Sequence, residues 1–211
     1  MTLIWLNGPF GGGKTQTAHE LQRRLPGSVI CDPEHAGFGL RRMLPPPLRG
    51  DFQDLTSWRD GVVEVLDLVL RKHEGPAIAP MTVIEPKYFE ETVDRLRTLG
   101  HEVHHFSLLA RRETVLKRLR ERGFGHALQF VAGKNTQLTR DSWAISKVDI
   151  CLERLQDKQF ATQVWTDDLP IREVANHVAT TAGLPLRPNT DTRLRGYFRR
   201  SWTSLKHIRL D

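Results

Sequence analysis

The chain has 211 residues, of which 39% are hydrophobic and 27% are charged, and it contains two cysteines, Cys31 and Cys151. This length and composition predict one globular domain that needs no disulfide or metal, and they exclude a mostly disordered chain. The two cysteines lack metal-ligand spacing, so no structural zinc is expected. We find no transmembrane run and no signal peptide, and therefore expect a cytoplasmic protein.

The excess positive charge is concentrated at the C-terminus. The net charge is +6, and residues 187–211 contribute +5 of it through seven basic and two acidic side chains. A nucleic-acid-binding protein usually carries basic residues over its whole body, so we expect no nucleic-acid partner. This concentration of charge predicts a separate function for the C-terminal tail.

Strands alternate with helices along the chain. Short apolar runs predict the strands, and apolar residues at helical spacing predict the helices. In chain order the predicted elements are strand 3–6, helix 14–25, strand 28–31, helices 35–43 and 58–72, strand 76–80, helix 86–99, strand 103–109, helices 113–122 and 141–155, strand 163–166 and helix 171–182. This order predicts an α/β three-layer sandwich with a parallel five-stranded sheet over residues 1–184. Residues 185–211 are expected to form a linker and a C-terminal helix.

A phosphate-binding motif follows the first strand, because the eight residues from Gly8 to Thr15 match GxxxxGK[ST]. Glycine lets successive amide groups point at one anion, and the next helix adds its positive end. The motif predicts that Lys14 neutralises ATP phosphates and that the Thr15 hydroxyl binds Mg²⁺. The alternative is a glycine-rich turn that matches by chance. The candidate nucleotide-binding residues are Gly8, Pro9, Phe10, Gly11, Gly12, Gly13, Lys14, Thr15 and Gln16.

Acidic residues after the strands narrow the class of nucleotide protein. The sequence has no NKxD-type motif, which argues against a GTPase, and no acid ends the third or fourth strand, as a motor or helicase ATPase would require. Asp32 and Glu34, after the second strand, are then the only acids expected at the functional edge of the sheet. Asp32 is a candidate Mg²⁺ ligand or proton acceptor. The alternative is that Asp32 only caps the following helix.

Two arginines in helix 113–122 are candidate catalytic residues. Arg118 and Arg122 are four positions apart and therefore share one helical face. The stretch is similar to one in small P-loop kinases of the nucleoside-monophosphate-kinase group, where arginines lead into a lid, here about 118–140. Such arginines would stabilise charge on the transferring phosphoryl group. The alternative is a solvated helix face on which Glu121 is a partner.

Distinctive motifs are spread over almost the whole chain. The first is the segment from Ile4 to Ala18, which includes the phosphate-binding motif. The others are Asp32-Pro33-Glu34, Gly37-Phe38, Leu40-Arg41, Asp51-Phe52-Gln53, Trp58-Arg59, Pro80-Met81-Thr82, His104-His105-Phe106, Leu116 to Arg120, Ser142-Trp143-Ala144, Thr166-Asp167 and His207-Ile208-Arg209. Taken together in this order, they resemble the motifs of bacterial tunicamycin-resistance proteins of the TmrB type.

The resemblance implies an ATP-binding protein of P-loop kinase fold that protects against tunicamycin, a nucleoside antibiotic with an acyl chain. Our leading hypothesis is a kinase that phosphorylates a hydroxyl of the drug with ATP and Mg²⁺. One alternative is ATP-dependent sequestration of the drug without turnover. Another is a metabolic kinase that acts on a nucleotide or sugar acid.

The segment from about 33 to 75 is expected to bind the phosphate acceptor, as it does in such kinases. It offers aromatic side chains beside arginines, a combination that suits a large amphipathic acceptor. The alternative is plain helix packing. The candidate acceptor-binding residues are Asp32, Glu34, Arg41, Trp58, Arg59, Met81 and Thr82.

The basic tail has the pattern of an amphipathic helix. Its apolar residues recur at spacings of three and four, and arginines occupy much of the remainder. Such a helix binds the interface of a bilayer, and the family resemblance also implies a peripheral membrane protein. The alternatives are docking on the body of the protein or dimerisation. The apolar stripe consists of Leu194, Phe198, Trp202, Leu205 and Ile208.

Overall fold

The computed structural model describes residues 1–127 and 147–189, without the side chains of 122–127. All five predicted strands are present, although the second is two residues long. They are β1 (Thr2–Asn7), β2 (Val29–Ile30), β3 (Ala77–Pro80), β4 (Glu102–Leu109) and β5 (Gln163–Trp165).

The predicted helices are confirmed within the described residues. They are α1 (Lys14–Arg24), α2 (Glu34–Met43), α3 (Thr56–Lys72), α4 in the consecutive parts Pro86–Phe89, Glu90–Asp94 and Arg95–Thr98, α5 (Arg112–Ala127), α6 (147–154) and α7 (Ile171–Thr181). The middle part of α4 is a π-helical turn. Short 3-10 turns cover Pro46–Leu48, Phe52–Asp54 and Lys158–Phe160.

The sheet is parallel throughout, as the alternation of strands and helices predicts. Its order is β2-β3-β1-β4-β5, so β1 lies at the centre. Trp5 on β1 pairs with Ala79 on β3 and with His105 on β4. The loops after β1, β3 and β4 therefore leave the sheet side by side, at its carboxyl edge.

Helices cover both faces of the sheet and give the three predicted layers. Leu3 and Trp5 on β1 are fully buried in one core cluster with residues of α3 and α4. Ile4 and Leu6, on the other face, are buried with residues of α1 and α7. Because both faces are covered, β1 is apolar at consecutive positions rather than at alternate ones.

The last described residues lie along the end of α1. The Arg24 Nε atom donates to the carbonyl oxygen of Arg187 at 2.9 Å. In return, the backbone N–H of Arg187 donates to the carbonyl oxygen of Arg24, also at 2.9 Å. An Arg23 guanidinium nitrogen donates to the side-chain oxygen of Asn189 at 2.8 Å. Residues 185–189, predicted as a linker, thus pack against the domain.

Two predicted regions fall outside the described residues. One is the larger part of the lid, 128–140, together with the start of the predicted helix 141–155. The other is the amphipathic tail, residues 190–211. Among the helices of the described ranges, none is both long and apolar enough to cross a membrane.

Candidate functional site

The glycine-rich loop between β1 and α1 lies close against its surroundings. A Cβ atom at Gly8 would lie 2.6 Å from the carbonyl oxygen of Leu108 on β4. One at Gly12 would lie 2.9 Å from the carbonyl oxygen of Pro9. Gly13, directly before α1, has a φ of +92°, which residues with side chains rarely adopt. The loop is therefore a backbone cradle of the kind that binds anions.

The Lys14 side chain folds over this cradle. Its Nζ atom donates hydrogen bonds to the carbonyl oxygens of Gly8, at 2.8 Å, and Pro9, at 3.1 Å. It also lies 5.5 Å from the centroid of the Phe10 ring. Lys14 opens α1, whose first turn holds no acidic residue. The ammonium and the positive end of the helix therefore act on the same space, which favours phosphate groups.

The side-chain amide of Asn7 joins the loop to the segment after β3. Its Oδ1 atom accepts hydrogen bonds from the backbone N–H groups of Gly8, at 2.8 Å, and Val83, at 3.0 Å. Its Nδ2 atom donates to the Val83 carbonyl oxygen at 2.6 Å and lies 3.2 Å from Nε2 of His105. The Thr82 hydroxyl donates to the Gly8 carbonyl oxygen at 2.7 Å. Both backbone polar groups of Gly8 are thus held by buried side chains.

His105 lies on β4, next to Asn7, and is only 3% exposed. Its Nδ1 atom lies 2.9 Å from the carbonyl oxygen of Ala161. Because a carbonyl only accepts, Nδ1 carries the proton and Nε2 accepts from the Asn7 amide. Phe89 packs edge-on against the imidazole, with 4.8 Å between ring centroids. Burial lowers the pKa of His105 to about 4, so the ring is neutral at pH 7.

This lowered pKa predicts a loss of stability in mild acid. The unfolded chain protonates His105 near the ordinary pKa of 6.5, whereas the folded protein does so only near 4. The stabilisation is complete above the unfolded pKa and is lost as the pH falls through the folded one, which costs on the order of 3 kcal/mol of unfolding free energy. We expect His105→Gln to lack this loss, as measured by urea denaturation between pH 7 and pH 4. Parallel pH profiles of the two proteins would contradict this prediction.

Asp32 follows β2, and its carboxylate caps α2. Its Oδ1 atom accepts a hydrogen bond from the backbone N–H of Glu34 at 3.0 Å, as the capping interpretation predicts. Across residues 1–127 and 147–189, no group of three or more histidine, cysteine or acidic side chains could hold a metal ion. The roles of Thr15 and Asp32 as Mg²⁺ ligands stay predictions.

The expectation that Asp32 and Glu34 are the only acids at this edge of the sheet is wrong. Asp167 follows β5, whose carboxyl end lies at the same edge. It accepts hydrogen bonds from the backbone N–H of Arg111, at 3.0 Å, and from the Thr114 hydroxyl, at 2.6 Å. Burial raises the pKa of Asp167, but these hydrogen bonds outweigh it and hold the pKa below its ordinary value. Asp167 therefore fixes the start of α5 as an anion.

Arg118 on α5 is anchored to the residue after β5. Its guanidinium donates to the hydroxyl of Thr166, at 3.0 Å, and to the carbonyl oxygen of the same residue, at 2.6 Å. Burial lowers the pKa of Arg118, but a guanidinium keeps its charge in proteins, so the group is a cation at pH 7. The side chain of Arg122 lies outside the described residues, so the predicted pair remains a prediction.

An open cleft of about 620 Å³ lies beside this end of β5. The indole of Trp165 is 49% exposed there. A Cβ atom at Gly13 would lie 3.4 Å from the side chain of Ile171, two residues beyond the cleft residue Leu169, so the segment after the cleft approaches the phosphate-binding loop. Trp165 could not be recognised from the sequence, because it stands at a strand end and no motif surrounds it. The cleft is lined by Arg111, Trp165, Asp167, Asp168 and Leu169.

Trp58 and Met81 have packing roles in place of the acceptor contacts predicted for them. Trp58 is fully buried, and its Nε1 atom donates to the carbonyl oxygen of Pro33 at 3.0 Å. Met81 is 2% exposed and belongs to the same core cluster. Thr82 is also buried, with its hydroxyl directed to Gly8. The contact of Trp58 was inferred from the aromatic character of its segment, which does not distinguish a ligand contact from a core position.

Arg59 is likewise used inside the protein. It is 6% exposed, and its guanidinium donates to the carbonyl oxygen of Gln53 and to the carboxylate of Glu91. A third hydrogen bond reaches the Thr56 hydroxyl at 3.3 Å, and the Tyr88 ring centroid lies 4.6 Å away. Arg59 therefore ties the start of α3 to α4 rather than reaching an acceptor.

Arg41 lies where a ligand could reach it. It lines a cavity of about 180 Å³ within the predicted acceptor segment. The cavity combines apolar side chains with the carboxylates of Asp51 and Asp54. Its lining residues are Arg41, Leu44, Leu48, Gly50, Asp51, Phe52, Asp54 and Leu55.

The chain matches a family model and a solved structure of a related protein. Residues 3–144 match the family model described as AAA domain. The tunicamycin resistance protein of Deinococcus radiodurans is 32% identical in sequence, with a TM-score of 0.70 over 90% of this chain and 100% of that one. None of the curated proteins matches the chain by sequence.

More distant solved structures share the fold alone. The APS kinase of Mycobacterium tuberculosis, solved with AMPPNP and APS, is 14% identical, with a TM-score of 0.56 over 85% of this chain and 95% of that one. The shikimate kinase of Bacteroides thetaiotaomicron is 17% identical, with a TM-score of 0.54 over 87% of this chain and 99% of that one. A P-loop kinase-like fold implies nucleotide binding at the loop described above.

Proposed function

The chain belongs to the AAA-domain family and to the tunicamycin-resistance proteins within the P-loop kinase-like fold, and from this we propose that it transfers the γ-phosphoryl group of ATP to a hydroxyl of a tunicamycin-like nucleoside antibiotic. The observation that carries the proposal is the backbone cradle with Lys14 folded over it, in a chain 32% identical to a protein named for this resistance.

We propose that ATP binds across the phosphate-binding loop and the cleft beside β5. The phosphates are proposed to lie on residues 8–16, where the amide groups and Lys14 meet. The nucleoside is proposed to occupy the 620 Å³ cleft, where the exposed face of Trp165 offers stacking and the Arg111 guanidinium offers a planar cation. The bound nucleotide supplies the phosphoryl group, and the chain supplies its position and charge balance.

The donors offered to Mg²⁺ are one hydroxyl and one carboxylate. We propose that Thr15, in the first turn of α1, and Asp32 hold the ion, directly or through water. The position after β3 offers no carboxylate, because Thr82 stands there with its hydroxyl donated to Gly8. Bound Mg²⁺ would neutralise phosphate charge.

The remaining catalytic groups are proposed from position and charge. Asp32 would accept the proton of the attacking hydroxyl. Arg118, fixed by Thr166, and Arg122 would stabilise charge on the transferring group.

The acceptor cavity favours a hydroxylated amphiphile over a second nucleotide. Asp51 and Asp54 line it beside Leu44 and Phe52, and among the described residues Arg41 is the one cation that lines it. Two carboxylates repel a phosphate-bearing acceptor, whereas sugar hydroxyls can donate hydrogen bonds to them and an aliphatic chain can cover the apolar side chains. Glu34 remains a proposed acceptor contact.

Incubation of the protein with tunicamycin and γ-labelled ATP tests the proposal. We expect label on the drug and none on uridine monophosphate or a sugar acid. Labelling of either metabolite instead would identify a metabolic kinase. Saturable, ATP-dependent drug binding without label would identify sequestration, the candidate favoured by the missing carboxylate after β3.

Asp32→Asn separates catalysis from helix capping. The asparagine keeps a side-chain oxygen for the N–H of Glu34 but carries no charge. We expect unchanged unfolding free energy, ATP affinity within about threefold of wild type, and turnover reduced about 100-fold or more. Glu64→Gln, on the exposed face of α3, is the matched control for loss of one carboxylate. Wild-type turnover in Asp32→Asn would leave Asp32 as a helix cap only.

We further propose that residues 190–211 bind an anionic membrane surface as an amphipathic helix. The contacts of Arg187 and Asn189 with α1 support a division between domain and tail after Asn189, later than the predicted one before Pro185. Basic residues near an anionic surface contribute about 1 kcal/mol each, so binding is expected to be reversible and sensitive to salt.

Ending the chain at Asn189 tests the tail while keeping its anchor. The full chain is expected to float with anionic liposomes at low salt, and less so at high salt. The truncated chain should not float with the liposomes, and its ATP affinity and thermal stability should be unchanged. Equal flotation of the two proteins would remove the membrane proposal.

A further inference from the structure

We infer that Asn7 and His105 are positioning residues for nucleotide binding, because together they fix the first residue of the phosphate-binding loop. The inference rests on the proposed nucleotide site and adds two residues to it that touch no ligand. It concerns a continuous chain of hydrogen bonds that begins at the carbonyl oxygen of Ala161, passes through both side chains and ends at Gly8 and Val83.

The Asn7 amide has one possible orientation. Its oxygen faces the N–H groups of Gly8 and Val83, and its nitrogen faces the Val83 carbonyl oxygen. A flipped amide would set donors against donors at two contacts. The second N–H of the amide requires an acceptor in a buried place, and only Nε2 of His105 is within hydrogen-bond distance of it in the described part of the chain.

His105 can serve as that acceptor only in one tautomer. Its Nδ1–H is donated to Ala161, which leaves the Nε2 lone pair directed at Asn7. The rings of Phe89 and Phe160 pack against the imidazole and exclude water from it. The carbonyl group of Ala161, just before β5, therefore fixes the tautomer of His105, and His105 acts on the phosphate-binding loop through Asn7.

The contacts reach the phosphate-binding atoms through Gly8. Its N–H is held by Asn7, and its carbonyl oxygen accepts from both Thr82 and Lys14. A shift of Gly8 thus displaces the partner of the Lys14 ammonium as well as the start of the cradle. If His105 served packing alone, it would not be connected to Gly8, because its apolar contact with Phe89 does not orient the Asn7 amide.

Two substitutions at the same position separate positioning from packing. His105→Phe keeps a ring between Phe89 and Phe160 but removes both hydrogen bonds. His105→Gln keeps one donor and one acceptor. Leu70→Ala, in the core near the opposite edge of the sheet, is the control for lost stability alone. The measurements are ATP affinity by calorimetry and unfolding free energy by urea denaturation.

We expect ATP affinity to fall about tenfold or more in His105→Phe, because a buried N–H of Asn7 loses its acceptor. Affinity should stay within about threefold of wild type in His105→Gln and in Leu70→Ala, even if Leu70→Ala is the least stable of the three. Wild-type affinity in His105→Phe, an equal loss in His105→Gln, or a loss in Leu70→Ala would each overturn the inference.

A measurement on the wild-type protein does not depend on the folding of any variant. The ¹⁵N resonances of His105 should show a proton on Nδ1 without ligand, and the Nε2 resonance should shift on addition of ATP. An unmoved Nε2 resonance overturns the inference. If Lys14→Ala loses ATP binding while His105→Phe keeps it, the nucleotide site stands and the positioning role falls. If the wild-type chain binds no ATP, the proposed function fails and the inference fails with it.

Discussion

Lys14→Ala is expected to lower ATP affinity about 100-fold or more while the protein remains folded. Lys14 is 8% exposed, and its ammonium donates to two carbonyl oxygens of the same loop. A charge-assisted hydrogen bond contributes about 1.5–3 kcal/mol, and we expect Lys14 to exchange these carbonyl contacts for stronger ones to phosphate when ATP binds. Calorimetric titration with ATP measures the loss.

Lys72→Ala is the control for removal of one lysine charge. Lys72 is exposed at the end of α3, toward the opposite edge of the sheet, so its removal should leave ATP affinity unchanged. Unfolding in urea should give similar free energies for wild type and Lys14→Ala. Equal ATP affinity in wild type and Lys14→Ala would refute the assignment of this loop as the nucleotide site.

Trp58→Ala is expected to lower the unfolding free energy by about 4 kcal/mol. The indole is fully buried and packs against the Phe52 ring at 5.5 Å, and its N–H is donated to Pro33 at the start of α2. Its removal leaves a large cavity between α2 and α3, and the Pro33 carbonyl oxygen keeps only its hydrogen bond from the backbone N–H of Gly37 among those of the described residues. Urea denaturation of the purified variant gives the value.

Trp58→Phe divides this loss into its parts. The phenyl ring keeps most of the packing but cannot donate to Pro33, so a loss of about 1–2 kcal/mol is expected. ATP affinity should be unchanged in both variants, since the loop is held by other residues. A stable Trp58→Ala protein with weakened acceptor binding would restore the original interpretation of Trp58 as a ligand contact.

The fold was largely predictable because its signals are local. The apolar run of β1 and the glycines after it stand within a dozen residues, and the helices show regular apolar spacing. The π-helical turn within α4 was not predicted, since its residues continue a helical pattern. β2 is shorter than predicted because only Val29 and Ile30 pair with β3.

The site was predictable only where the chain is continuous. Lys14 and the glycines belong to one motif, so their meeting needs no knowledge of the fold. Asn7, Val83 and His105 come from three parts of the chain that the sheet order alone brings together. The residue types of Trp58 and Arg59 suit a binding site and a core equally well, so the sequence could not distinguish an acceptor contact from a packing role. Once the strand order and register are known, the pairing of Asn7 with Ser107, two residues from His105 and on the same face of β4, is the signal that would have found both residues.

The central place of β1 has a consequence for biosynthesis. Its register pairs Thr2 with Glu102, so this first strand is made about 100 residues before its second neighbour. At about 5–20 residues per second, the ribosome needs roughly 5–20 s to supply β4 after β1. During that time an apolar strand and the phosphate-binding loop lack the neighbour on one side of β1, and parallel pairings at such separation form slowly. Nascent chains that end before β4 are therefore expected to require chaperones and to be substrates for proteolysis.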